Sequence, residues 1–134
     1  MNGKLEIILS PHTGYCFGVK RAMRLINQGL ADQQTAKIYT LGDIIHNPQA
    51  VEWLKESGVE PVDSLDQIEE GSILVIRAHG VQPDLIEKAR ARGIHLLDAT
   101  CPFVQRSQNY VRKLNGESYR VIIIGDREHP EVKS

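Results

Sequence analysis

Five short apolar runs punctuate the chain: Leu5 to Leu9, Ile38 to Leu41, Ile73 to Ile76, Ile94 to Leu97 and Val121 to Ile124. Each has the length and aliphatic content of a strand buried on both faces. Between them the apolar residues recur at spacings of three and four, the period of a helix with one inward face. After Cys16 this face comprises Val19, Ala22, Met23, Ile26 and Leu30. Pro48 opens a second helix with Val51 and Leu54 inward and Gly58 at its end, and Trp53 reads as a partly buried packing residue. Pro83 or Asp84 opens a third helix that stops before Gly93, and a fourth runs from Pro102 to about Leu114. Proline suits the first helical turn and glycine the position just past the last. Val59 to Glu70 reads as a connector with one possible helical turn around Leu65 to Ile68, and the residues after Gly125 as a loop.

This alternation predicts an α/β fold, a parallel sheet with helices on both faces, because right-handed crossovers place them there. Ligands of such sheets bind beyond the carboxyl ends of the strands, where loops and helix N-termini converge. Cys16, His46, His79, Cys101 and His129 follow the five predicted strands in turn, so one edge of the sheet collects both cysteines and three of the five histidines. Pro102 suits the first helical position and thereby puts Cys101 at the cap, facing the free amides and positive end of the helix, which favours a thiolate. Cys16 has the same local grammar: valine and arginine recur at offsets of three and five, as Val19 and Arg21 after Cys16 and as Val104 and Arg106 after Cys101.

With 134 residues, 41% hydrophobic and 25% charged, the chain has the make-up of one ordinary globular domain or part of a larger one. No apolar run approaches the ~20 residues of a membrane helix and the N-terminus lacks a signal-peptide layout, so a cytoplasmic location without membrane contact is expected. Sixteen basic against seventeen acidic residues and 5% aromatics give neither a basic face nor a stacking platform, which argues against nucleic acid. In a reducing compartment the two cysteines read as free thiols or metal ligands, although no CxxC or zinc-finger spacing is present.

Each residue also has a plainer reading. A cysteine is commonly a small buried hydrophobe. His46, His79 and His129 can cap helices or bond within loops, and Asp98 and Thr100 read as helix caps. Glu131 is either a solvated charge or, beside a histidine in a cleft loop, a proton donor. His95 falls at the wrong end of its strand and His12 precedes the loop glycine, so neither is assigned chemistry.

Five ordered segments then narrow the reading: Gly14-Tyr15-Cys16-Phe17-Gly18-Val19, His46-Asn47-Pro48, Ala78-His79-Gly80-Val81, Asp98-Ala99-Thr100-Cys101-Pro102 and His129-Pro130-Glu131-Val132. In order and spacing the chain resembles the LytB family of 4-hydroxy-3-methylbut-2-enyl diphosphate reductases, which perform the last step of the methylerythritol phosphate route to isoprenoids. The resemblance spans essentially the whole chain but only the N-terminal part, somewhat under half, of a usual member.

It implies that Cys16 and Cys101 are two of three cysteine ligands of a 4Fe-4S cluster, that His46, His79 and His129 surround an allylic diphosphate, and that Glu131 delivers protons. The implied reaction is reductive dehydroxylation to isopentenyl and dimethylallyl diphosphate, with ferredoxin or flavodoxin as the electron-donor protein. The third cysteine and the later pocket-forming segments of the family are absent from this sequence. The resemblance therefore implies a first α/β domain over residues 1–101, the start of a second, similar one over 102–134 that begins with the Val121 strand, and a chain that is inactive alone. Two rivals are a short zinc protein using Cys16, Cys101 and two histidines, and a diphosphate-binding module without catalysis.

Overall fold

The structure is a computed structural model that describes residues 5–32, 36–45 and 47–134. In chain order its elements are α1 (Phe17–Asp32), β1 (Ile38–Leu41), α2 (Pro48–Glu56), β2 (Val59–Val62), a 3-10 turn (Leu65–Gln67), β3 (Ile73–Ile76), α3 (Pro83–Ala91), β4 (His95–Asp98), α4 (Pro102–Gly116) and the short α5 (Pro130–Lys133). The four strands form one parallel sheet in the order β2-β1-β3-β4. Ile38 stands opposite Val59 on one side and Ile73 on the other, and Ile73 opposite His95.

Alternation along each strand sends neighbouring side chains to opposite faces, and both faces are covered. On one, Ile38, Ile73 and Val75 pack with Ala22 and Ile26 of α1 and with Ala50 and Leu54 of α2. On the other, Tyr39, Leu74 and Val62 pack with Ala89 of α3 and Ile68 after the 3-10 turn. The expected α/β architecture with helices on both faces is thus present. The inward stripe of α1 is as its periodicity predicts, Ala22 and Ile26 fully buried with Val19, Met23 and Leu30 partly so. In α2, Ala50 rather than Val51 joins Leu54 in the buried set, and Trp53 lies outside it, 44% exposed.

Four segments differ from expectation. Leu5 to Leu9 and Val121 to Ile124 form no strand, and they stand in solvent: Leu5 is 87%, Ile8 83% and Ile124 95% exposed. An apolar run becomes a strand only when a neighbouring strand takes up its backbone groups, and among the described residues no strand pairs with either run. Val59 to Val62, expected as a connector, is instead the edge strand β2. Its Pro61 is tolerated because an edge strand need not donate on its outer side. The loop after Gly125 contains the one-turn α5. α4 is amphipathic but buries none of its residues.

Candidate functional site

Of the residues singled out by spacing, His79 and Cys101 follow the carboxyl ends of β3 and β4, whereas Cys16 and His129 follow the two runs that form no strand. Cys101 is the N-cap of α4, with Pro102 at its first position, as the proline predicts. Its amide donates to the Ala78 carbonyl at 2.8 Å, tying the cysteine to the loop that follows β3. Just before it, Asp98 accepts from the Thr100 amide at 2.9 Å and from the Gln105 side chain at 3.1 Å. Asp98 therefore shapes the cysteine turn and braces the first turn of α4, while Thr100 is buried. Cys16 occupies the matching place before α1: its carbonyl accepts the Lys20 amide at 2.9 Å, the first bond of that helix.

The two caps meet over Gly18. A β-carbon on Gly18 would stand 2.9 Å from Cys101 Sγ and 4.0 Å from Cys16 Sγ, so the sulfurs straddle the bare face of this residue. Both thiols are free; Cys16 is exposed and Cys101 half-buried. Spacing placed the cysteines at one edge, but not the glycine that lets them approach. Its signal was the second glycine of Gly14-Tyr15-Cys16-Phe17-Gly18. Arg21 is a second residue whose role spacing alone did not reveal. From α1 its guanidinium donates to the Thr100 carbonyl at 3.2 Å and to the Asp98 carbonyl at 3.4 Å.

His79 lies in the loop after β3, and its ring meets that of His129 edge to face, 5.9 Å between centroids and 84° between planes. His129 is also the N-cap of α5, its Nδ1 accepting from the Glu131 amide at 3.3 Å. His46 lies outside the described residues; its neighbour Asn47 caps α2, Oδ1 accepting from Ala50 at 2.9 Å. Glu131 lines a mainly apolar cavity of ≈ 310 Å³ with Val104, Val111 and Ile123. His95 stands exposed at the start of β4 and His12 is exposed in the N-terminal loop.

A second cavity of ≈ 470 Å³ opens beyond β1 and β3, lined by Gly42, Arg77, Gly80, Gln82 and Lys133 among others. It sits where the crossovers part, since β1 leads outward to β2 and β3 outward to β4. Such a switch point is where open α/β sheets hold ligands. Lys133 is paired with Glu128, whereas Arg77 forms no ion pair among the described residues. Among those residues no group of three or more His, Cys, Asp or Glu side chains is gathered to hold a metal ion. Two soft sulfurs at helix N-termini suit a thiophilic centre but leave it short of ligands.

The family model described as LytB protein matches residues 7–134. The chain belongs to the LytB family. Two members it resembles are the 4-hydroxy-3-methylbut-2-enyl diphosphate reductases of Citrifermentans bemidjiense, 45% identical over 129 residues, and of Aquifex aeolicus, 44% identical over 128. Each match covers 96% of this chain but only 45% and 44% of the relative, so the chain spans under half the length of the curated LytB members it matches. A solved structure of (E)-4-hydroxy-3-methyl-but-2-enyl diphosphate reductase superposes with a TM-score of 0.84 at 45% identity, covering 94% of this chain and 44% of that one. The E-1-hydroxy-2-methyl-but-2-enyl-4-diphosphate reductase of Plasmodium falciparum superposes at 0.85 with 33% identity, covering 91% and 38% respectively. No helix among the described residues is long and apolar enough to cross a membrane.

Proposed function

We propose that this chain supplies the N-terminal portion of a 4-hydroxy-3-methylbut-2-enyl diphosphate reductase, an oxidoreductase of isoprenoid synthesis. The observation that carries the reading is the meeting of the Cys16 and Cys101 sulfurs over Gly18, each at the start of a helix. Cys16 and Cys101 are assigned as two of the three thiolates that hold a 4Fe-4S cluster, with the N-termini of α1 and α4 offsetting their charge. The third ligand comes from outside these residues, in keeping with a chain under half the length of its relatives. When bound, the cluster supplies electrons and a Lewis-acidic iron.

The protein's own groups do the rest. His46, His79 and His129 are assigned to the allylic diphosphate; imidazole donors and free helix amides counter its negative charge. Arg77 adds a cation at the switch point. Glu131, next to the histidine that caps α5, holds the proton taken by the departing hydroxyl. Residues 1–101 are read as the first domain and 102–134 as the start of a second, which accounts for an α4 without buried residues and for the exposed Val121 run. Reduction requires an electron-donor protein of the ferredoxin or flavodoxin kind.

Anaerobic reconstitution with iron and sulfide tests the proposal. The chain alone should hold the cluster weakly or not at all, and the chain joined to the remaining length of a family member should hold it stably. In the joined protein Cys101→Ser should abolish retention. Glu131→Gln should spare the cluster and slow turnover about 10²-fold to 10⁴-fold, the usual worth of a positioned acid. Undiminished turnover in that variant would remove the proton-donor assignment.

A further inference from the structure

Two arginines stand five residues after the two cysteines, and the fold uses them differently. Arg106, after Cys101, stays on its own helix: its guanidinium lies 5.6 Å from the Tyr110 ring centre and donates to the Tyr110 hydroxyl at 3.4 Å. Arg21, after Cys16, reaches from α1 to the carbonyls of Asp98 and Thr100, in the segment that delivers Cys101. It forms no ion pair among the described residues, so its planar fork is committed to these backbone oxygens. We infer that Arg21 is a positioning residue that fixes the separation of the Cys16 and Cys101 sulfurs by strapping the start of α1 to the turn before α4.

The inference deepens the proposed function, resting on its view that the two thiolates act as one ligand pair. Each sulfur rides on a helix cap, so their separation depends on how α1 sits against the Asp98 to Cys101 turn. Ala22 and Ala99 hold the two segments in the same apolar cluster. Such small contacts are non-directional and permit sliding. The guanidinium is directional: one nitrogen serves both carbonyls and the other serves Asp98. The strap also spans the Gly18 contact, where Cys101 Sγ sits close to the α1 backbone and any slip would alter its approach. Partners that orient a metal's ligands are typically worth 10-fold to 100-fold in affinity without touching the metal.

The test uses the whole 134-residue chain, reduced, with cadmium ion alone as a probe of paired thiolates, read by the thiolate-to-cadmium charge-transfer absorbance. Arg21→Met, which keeps most of the apolar stem and removes the donors, should bind cadmium about 10-fold to 100-fold more weakly than the wild type, with an altered band. Arg21→Lys, able to reach one carbonyl but not to fork, should fall between them. Arg106→Met should match the wild type. Far-ultraviolet dichroism and single-site alkylation of each thiol confirm that every variant is folded and its cysteines reactive. If Arg21→Met binds as tightly and with the same spectrum as the wild type, the inference is overturned while the thiolate pair stands. If the wild type binds no better than Cys16→Ser, the paired-thiolate reading fails and takes the inference with it.

Discussion

At residue scale the site depends on an absent side chain. A methyl on Gly18 would enter the space of the Cys101 sulfur at 2.9 Å, closer than carbon and sulfur tolerate. Gly18→Ala should therefore displace the sulfur and weaken cadmium binding about 10-fold or more, while alanine's better helix propensity, about 0.5–1 kcal/mol, keeps α1 intact by dichroism. A different residue-level effect concerns Lys37, whose ammonium is 2.6 Å from the Glu69 carboxylate. That hydrogen bond and charge hold its pKa above the ordinary 10.5. A group raised in the folded state stabilises fully below its unfolded value, and the contribution is lost as pH climbs through the folded value. The effect therefore fades only above pH 10.5, is small on an exposed surface, and shrinks with salt. Glu69→Gln should bring the Lys37 titration, followed by NMR at the side-chain carbons, back toward its ordinary value. The placement of Cys101 was legible from sequence because Pro102 marks a helix start. The role of Arg21 was not, because its partners are backbone carbonyls, which every residue has and no motif records.

At the scale of elements, periodicity located every long helix and three of the four paired strands among the described residues. It misread the runs whose fate depends on neighbours. Leu5 to Leu9 and Val121 to Ile124 have strand composition, but composition does not supply a ladder partner. Val59 to Val62 errs in the other direction: Glu60 and Pro61 look like a connector, yet β1 offers a free edge and the segment pairs along it in register. The burial of α1 carries an energetic prediction. Ile26 is fully buried between helix and sheet, so Ile26→Ala should cost about 2–5 kcal/mol in urea unfolding, a lost side chain plus the cavity left behind. A loss below 1 kcal/mol would mean that α1 is not firmly seated on the sheet.

For the whole molecule, the sheet and its two covered faces form one half of a contrast whose other half is uncovered apolar surface. Ile122 and Ile124, 78% and 95% exposed, bind nothing within the described residues that would shield them from water. The double substitution Ile122→Lys with Ile124→Lys should change unfolding stability by no more than about 0.5 kcal/mol, as surface replacements do. It should also reduce binding of a dye specific for apolar surface, read by fluorescence. The sulfur pair has a further consequence for assembly of the fold. Among the described residues one thiol precedes the first helix and the other follows the last strand, so the four strands described lie between them in the chain. Their nearness cannot arise from local structure; it waits on the crossovers, which are slow to close. A pulse of a reagent that crosslinks both thiols, applied at intervals during refolding, would time the moment at which the two ends of the sheet's path first come together.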